Sequence, residues 1–316
     1  MSTLYRRAAR RCRSVNQFNA LHIELENRMT PLELMALRGE LGRWLRLRVR
    51  LRRVLQRLLP LRQAAGVDDM AHVLREEWLE KLSHRLYART PKPQPEPYRR
   101  RKLSRHLRLY SAGGARQDKT LLICFVGASN RPFLPTPVFL QHLDAARTDM
   151  LLVGYPRGNG VRRGLPELGC SFEETVDKLR GVAAIDSYRR CVTLGISGGG
   201  TPALLAALRL GLSAALSAGG GSPTDPRWFA ALGEHAGDLA RRYVAASASL
   251  PQVTLAFGAD AERDAAAARA FAQCLPAELR PVHDDHRTVQ HNIFSVLLRR
   301  GRLQSFLEST VLEAPR

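Results

Sequence analysis

The sequence predicts an α/β protein in which a mostly parallel sheet is flanked by helices and preceded by a basic helical extension. Three observations carry that reading. Five short, nearly continuous apolar runs, TLLICFVG, MLLVGY, CVTLGIS, AALSAGG and VTLAFG, each end at a glycine or a polar turn. Strands of a parallel sheet read this way because both of their faces are covered. Helical patterns stand between the runs, as crossover connections require. The first third is instead helical and rich in arginine, and a proline-rich segment closes it. With 316 residues, 45% of them hydrophobic, the chain can build a sizeable core as one large domain or two small ones.

The chain opens MSTLYRRAARRCRSV, cationic but with no apolar h-region behind it, so it does not read as a secretory signal. Its acid-free beginning would suit a mitochondrial transit peptide, a reading that Glu24 and Glu26 disfavour because they follow in a helical pattern. From Thr30 a long helix is expected. Thr30 can act as N-cap, Pro31 suits the first helical position, Glu33 completes a capping box and Pro60 stops it, with a break near Gly39 or Gly42. Leu41, Trp44, Leu45, Val54, Leu55, Leu58 and Leu59 form its apolar stripe, and Arg43, Arg46, Arg50, Arg53 and Arg57 fill much of the rest. A second helix over Asp68 to Arg89 presents Met70, Val73, Leu74, Trp78, Leu82, Leu86 and Tyr87 on one side. The segment PKPQPEP, Pro91 to Pro97, reads as an extended linker, because each proline lacks a donor and restricts its predecessor. The expected organisation is a helical extension over residues 1–90, a linker and first strand over 91–116, and the α/β domain over 117–316.

The formal net charge is +20, from 49 Lys and Arg against 29 Asp and Glu. Residues 1–116 hold 27 of the basic and 10 of the acidic residues, so most of the excess sits in the first third of the chain. Nucleic acid, an anionic membrane and an acidic partner are the ligand classes such a charge raises. The extension carries no recognised nucleic-acid signature, which disfavours the first. Residues 30–60 have the amphipathic, arginine-rich character that suits an anionic membrane surface or an acidic carrier protein, against the plainer reading that the apolar stripe packs on the α/β domain. Five scattered cysteines without a C-x-x-C suggest neither a disulfide framework nor a zinc ribbon and fit a reducing cytoplasm. No apolar run approaches the length of a membrane span.

In the α/β part, SFEETVDKLRGVAAI reads as a crossover helix with Ser171 and Glu174 in capping-box spacing and Phe172, Val176, Leu179 and Val182 facing inward. The sharpest motif is Gly195-Ile196-Ser197-Gly198-Gly199, which fits G-x-S-x-G between the run CVTL and the helix TPALLAALRLG. There the serine must stand on a strained strand-to-helix turn, where side chains at Gly195 and Gly199 would collide with neighbouring backbone. The backbone N–H of Gly198, at the head of the helix, is placed to stabilise an oxyanion. Nucleotide motifs fail: no lysine separates Gly200 from Thr201 as a P-loop requires, and GNGVRRG has the wrong glycine spacing for a dinucleotide fold.

At these residues the sequence resembles the α/β-hydrolase superfamily over roughly residues 117–312. LLICFVG followed by ASNRPFLP resembles the family's oxyanion-loop strand, which implies Ala128, or Ser129, as the second oxyanion donor. MLLVGYPRGNG resembles the strand and loop commonly reading D-x-R-G-x-G, with Tyr155 in the usual acidic place. The family order of serine, acid and histidine implies an acid after VTLAFG. The expected position is Ala261, so Asp260 and Asp264 both remain open, with helix capping as the alternative role for Asp264. Among His283, His286 and His291, only His291 sits immediately before the last helix, where the family's histidine reaches the serine. A metal site at His283, Asp284, Asp285 and His286 has no fixed ligand geometry, and the resemblance implies neither metal nor cofactor. The implied activity is serine hydrolysis of a small-molecule or carrier-bound carboxylic ester or thioester through an acyl-enzyme on Ser197. An acyltransferase on the same triad, or a non-catalytic binding module with a cationic docking extension, are the alternatives.

Overall fold

Each of the five apolar runs forms a strand of one eight-stranded sheet in the computed structural model. It describes residues 98–313, apart from 129, 155, 157–159, 286 and 287, and before them residues 2–12, 17, 21, 22, 24, 25, 29, 33, 34, 36–41 and 43. The described residues belong to two compact units. One draws on Met1–Glu96 and Pro135–Gln141, the other on Pro97–Leu134 and His142–Arg316.

In the first unit, helix α1 (Ser2–Arg10) buries Tyr5 and Ala9, and the Tyr5 hydroxyl lies 2.8 Å from Nε2 of His22. Helix α2 (Thr136–Leu140) is a short buried turn with Pro137 in its first turn. Of the helix expected from Thr30, the described residues 33, 34, 36–41 and 43 are helical, so Gly39 does not break it. Leu34, Leu37 and Leu41 are buried at helical spacing. The arginine face beyond residue 43, the helix over 68–89 and the segment 91–97 lie outside the described residues.

The second unit carries the sheet. Its strands are β1 (Arg99–Lys102), β2 (Leu107–Ser111), β3 (Thr120–Phe125), β4 (Thr148–Val153), β5 (Arg190–Ile196), β6 (Ala214–Ala218), β7 (Gln252–Gly258) and β8 (Glu278–Val282). Their order is β1-β2-β4-β3-β5-β6-β7-β8. Strand β2 is antiparallel to β1 and β4, and every pairing from β4 to β8 is parallel. This mostly parallel sheet flanked by helices is the α/β architecture the sequence predicts. The unit starts at Pro97, ahead of the boundary at 117, because two strands precede that residue. Strand β1 is an RRRK sequence with all four residues exposed, an edge whose charges discourage further pairing.

Between the strands run α3 (Phe172–Val182), α4 (Gly200–Leu210), α5 (Pro226–Leu232), α6 (Ala236–Ala246) and α7 (Glu262–Ala272), and α8 (Ile293–Arg299) and α9 (Leu303–Leu307) close the chain. Ser171 caps α3 as expected, its Oγ accepting from the N–H of Glu174 at 3.1 Å, but Glu174 reaches back to the N–H of Cys170 rather than of Ser171. Phe172, Val176 and Leu179 are buried, whereas Val182, the last residue of the helix, is 42% exposed. Helix α4 is apolar all round and buries every residue except Arg209, which places it against the centre of the sheet. No helix among the described residues is long and apolar enough to cross a membrane.

At the N-terminal ends of β3 and β4 a buried ion pair joins Lys119 to Asp149 at 2.9 Å, with both side chains 3% exposed. Tyr188 donates to the other Asp149 oxygen at 3.0 Å. Burial, then the neighbouring carboxylate, pushes the Tyr188 hydroxyl well above its ordinary range, so it stays a donor. Lys119→Met removes one partner of a desolvated pair and should cost about 3–5 kcal/mol in chemical denaturation. An unchanged midpoint would contradict this account of that end of the sheet.

Candidate active site

The C-terminal ends of the parallel strands carry the candidate chemistry. Strand β5 runs into Ser197, whose φ is +52°, a left-handed conformation that costs a serine roughly 1–3 kcal/mol unless its surroundings impose it. A single 3-10 turn, Ser197–Gly199, then leads into α4. The two flanking glycines explain how the turn fits. A Cβ at Gly195 would stand 2.7 Å from that of Ala203 and collide with the backbone of Gly199 and Gly200, and one at Gly199 would land on the Phe125 carbonyl of β3. Gly199→Ala must therefore push α4 away from the sheet, at a cost of about 1–3 kcal/mol in stability. Wild-type melting of that variant would contradict the packing.

His291 follows β8 in the chain and stands just before α8, whose N-cap Asn292 accepts from the N–H of Ser295 at 3.1 Å. Its Nε2 lies 2.9 Å from Ser197 Oγ and its Nδ1 lies 2.7 Å from Asp264 Oδ2. With the proton on Nδ1, the ring donates to the carboxylate and accepts from the serine hydroxyl. Asp264 sits in the first turn of α7 and is 13% exposed, while the histidine is 47% exposed. It is not a cap: the N-cap of α7 is Ala261, which makes no side-chain cap bond.

Of the two carboxylates left open by the sequence, Asp264 meets the histidine and Asp260 does something else. Asp260 Oδ2 accepts from the N–H of Val289 at 2.7 Å, and its own N–H donates to the Val289 carbonyl at 3.2 Å. It clamps the segment leading into His291. His283 is exposed, and Asp284 is bonded to Arg300. His286 lies outside the described residues. Among the described residues no cluster of His, Cys, Asp and Glu could hold a metal ion.

Phe133 is a site residue that the sequence does not reveal. It has φ +57°, is buried, and stands edge-on to His291 with ring centroids 5.2 Å apart. Its carbonyl accepts from Asn292 Nδ2 at 3.5 Å, and its ring also packs on Phe294 at 5.8 Å. It fixes one side of the imidazole. In the loop after β3, the N–H of Asn130 donates to the Gly127 carbonyl at 2.9 Å, which closes a turn with Ala128 exposed at its corner. Gly127 lies against the serine: a Cβ there would be 3.1 Å from Ser197 Cβ and 3.3 Å from the nitrogen of Gly198. Ser129 and Tyr155 lie outside the described residues.

Beside these three side chains opens a cleft of about 1180 Å³, lined by Ser197, Gly198, Thr201, Trp228, Asp264 and His291 among others. It is large enough for a drug-sized ligand.

No protein-family model and no curated protein matches the sequence. Among solved structures the chain is similar to dienelactone hydrolase from Anabaena variabilis, at 16% identity over 67% of this chain and 96% of that one, with a TM-score of 0.44. It is similar to esterase B from Lactobacillus rhamnosis, at 14% identity over 77% and 93% of the two chains, with a TM-score of 0.45. A third is MGS-MChE2, an alpha/beta hydrolase enzyme from a lagoon-sediment metagenome, at 14% identity over 67% and 98%, with a TM-score of 0.44.

Proposed function

We propose that the chain is a serine hydrolase that cleaves a carboxylic ester or thioester through an acyl-enzyme on Ser197. One observation carries the reading: the hydroxyl of Ser197, both ring nitrogens of His291 and Asp264 Oδ2 form a continuous chain of 2.9 and 2.7 Å contacts at the mouth of a cleft. A serine hydroxyl is a weak nucleophile until a base takes its proton. His291 Nε2 is placed to take it as Oγ attacks the carbonyl carbon, and Asp264 orients the ring and stabilises the imidazolium that forms. The N–H groups of Gly198 and Ala128 receive the developing oxyanion in this reading, which the approach of Gly127 to Ser197 and Gly198 supports. The imidazolium then protonates the leaving group. Water, activated in its turn by His291, attacks the acyl carbon and releases the acid with Ser197 restored.

Incubating the full chain with p-nitrophenyl butyrate and with the butyryl thioester of a small thiol tests this reading. Free butyrate should form, and His291→Ala should lower turnover by about 10⁶-fold, the scale seen when a triad histidine is lost. Butyryl transfer only to an added alcohol, with no free acid, would make the chain an acyltransferase. Hydrolysis undiminished in His291→Ala would overturn the assignment.

A further inference from the structure

The cleft contains a buried charge that the triad does not use. Arg162, in the turn over residues 160–163, is 3% exposed and lines the cleft with Ser197 and His291. Among the described residues its guanidinium has no hydrogen-bond or ion-pair partner. A guanidinium keeps its charge and offers five donors. Removing such a group from water without an acceptor is costly, and buried charges are ordinarily paired.

The other charges lining the cleft do not relieve it. Asp264 is held by His291. Asp225 gives its oxygens to Arg227, at 2.9 and 3.1 Å from Nε and 2.7 Å from Nη2, and accepts from the Arg227 N–H at 3.0 Å. Burial pushes the Asp225 carboxyl up, but those hydrogen bonds and the fields of Arg227 and Arg162 outweigh it and hold it below its ordinary value. Asp225 is thus an anion committed to Arg227, near enough for Arg162 to bias its titration but making no bond to it. Glu262 and Arg263 are exposed at the rim.

We propose that Arg162 binds a carboxylate or phosphate carried by the substrate, so that this cleft selects anionic esters or thioesters over neutral ones. The inference rests on the reading of Ser197 as nucleophile, and it adds the chemical class of substrate. A planar guanidinium fork matches either oxyanion in bidentate fashion, and a charge-assisted pair of this kind is worth about 10- to 100-fold in affinity.

Matched esters on the full chain provide the test. Mono-p-nitrophenyl adipate against p-nitrophenyl hexanoate places the charge on the acyl side, and 4-(hexanoyloxy)benzoate against its methyl ester places it on the leaving group. At least one charged ester should exceed its neutral partner about 10- to 100-fold in kcat/KM, through KM. Arg162→Gln should collapse that ratio, while Arg163→Gln, at the exposed neighbour, preserves it. Equal kcat/KM within both pairs of the wild-type protein would overturn the proposal without any variant, as would a ratio that survives Arg162→Gln. Calorimetry with adipate and with inorganic phosphate separates the two anions and needs no turnover. Anion binding without hydrolysis of any ester would leave the Arg162 site standing and sink the hydrolase reading. Hydrolysis of neutral esters with neither anion preference nor anion binding would do the reverse.

Discussion

Ser197→Ala should abolish ester turnover, lowering kcat by about 10⁶-fold, because in the proposed mechanism the bond-forming atom is gone and the remaining donors can only bind the substrate. The effect should be one of chemistry alone. Among the described residues Ser197 Oγ makes one hydrogen bond, to the half-exposed His291, so its loss leaves no deeply buried group there unpaired. Alanine inherits the same unfavourable φ of +52° and does not relieve it. Ser197→Gly would relieve it and should gain on the order of 1 kcal/mol in stability while being equally inactive. Parallel kinetics and melting curves for the two variants check both statements, and turnover within tenfold of wild type in either would remove Ser197 from the chemistry.

The second largest effect belongs to the carboxylate. Asp264→Asn should lower kcat by about 10⁴-fold, because an amide facing Nδ1 no longer favours the tautomer that leaves Nε2 free to accept the serine proton. Asp260→Ala should behave differently. It leaves the Val289 N–H without its 2.7 Å acceptor and should cost about 1–3 kcal/mol of stability with kcat changed less than tenfold. Equal losses of kcat from the two variants would mean that neither residue alone orients His291.

The contrast between those two aspartates marks where sequence reasoning stops. Both follow the same strand within the same turn into α7, and local spacing cannot separate a residue that clamps Val289 from one that meets His291. The decision is made by contacts 27 and 29 residues away along the chain. Strands β3 to β7 were legible for a local reason: they are buried on both faces, and continuous apolar runs announce that. Strand β1 has no apolar residue, and β8, ELRPV, buries only Val282 and contains a proline, so neither has a periodicity to read. The strand-to-helix turn at Ser197 was legible because its glycines answer to a steric demand that few other arrangements make. Phe133 and Arg162 had no such signal. One is an isolated aromatic in a loop, and the other is one basic residue among 49, distinguished only by burial and the lack of a partner.

Active-site labelling with a fluorophosphonate, read by intact mass and peptide mapping, addresses the proposed nucleophile most directly, because the reagent reacts with an activated serine and needs no knowledge of the substrate. The geometry of Ser197, His291 and Asp264 predicts a single adduct per chain on Ser197, slowed in His291→Ala and absent in Ser197→Ala. A wild-type protein that stays unlabelled from neutral to mildly alkaline pH, or that labels equally in Ser197→Ala, would contradict it.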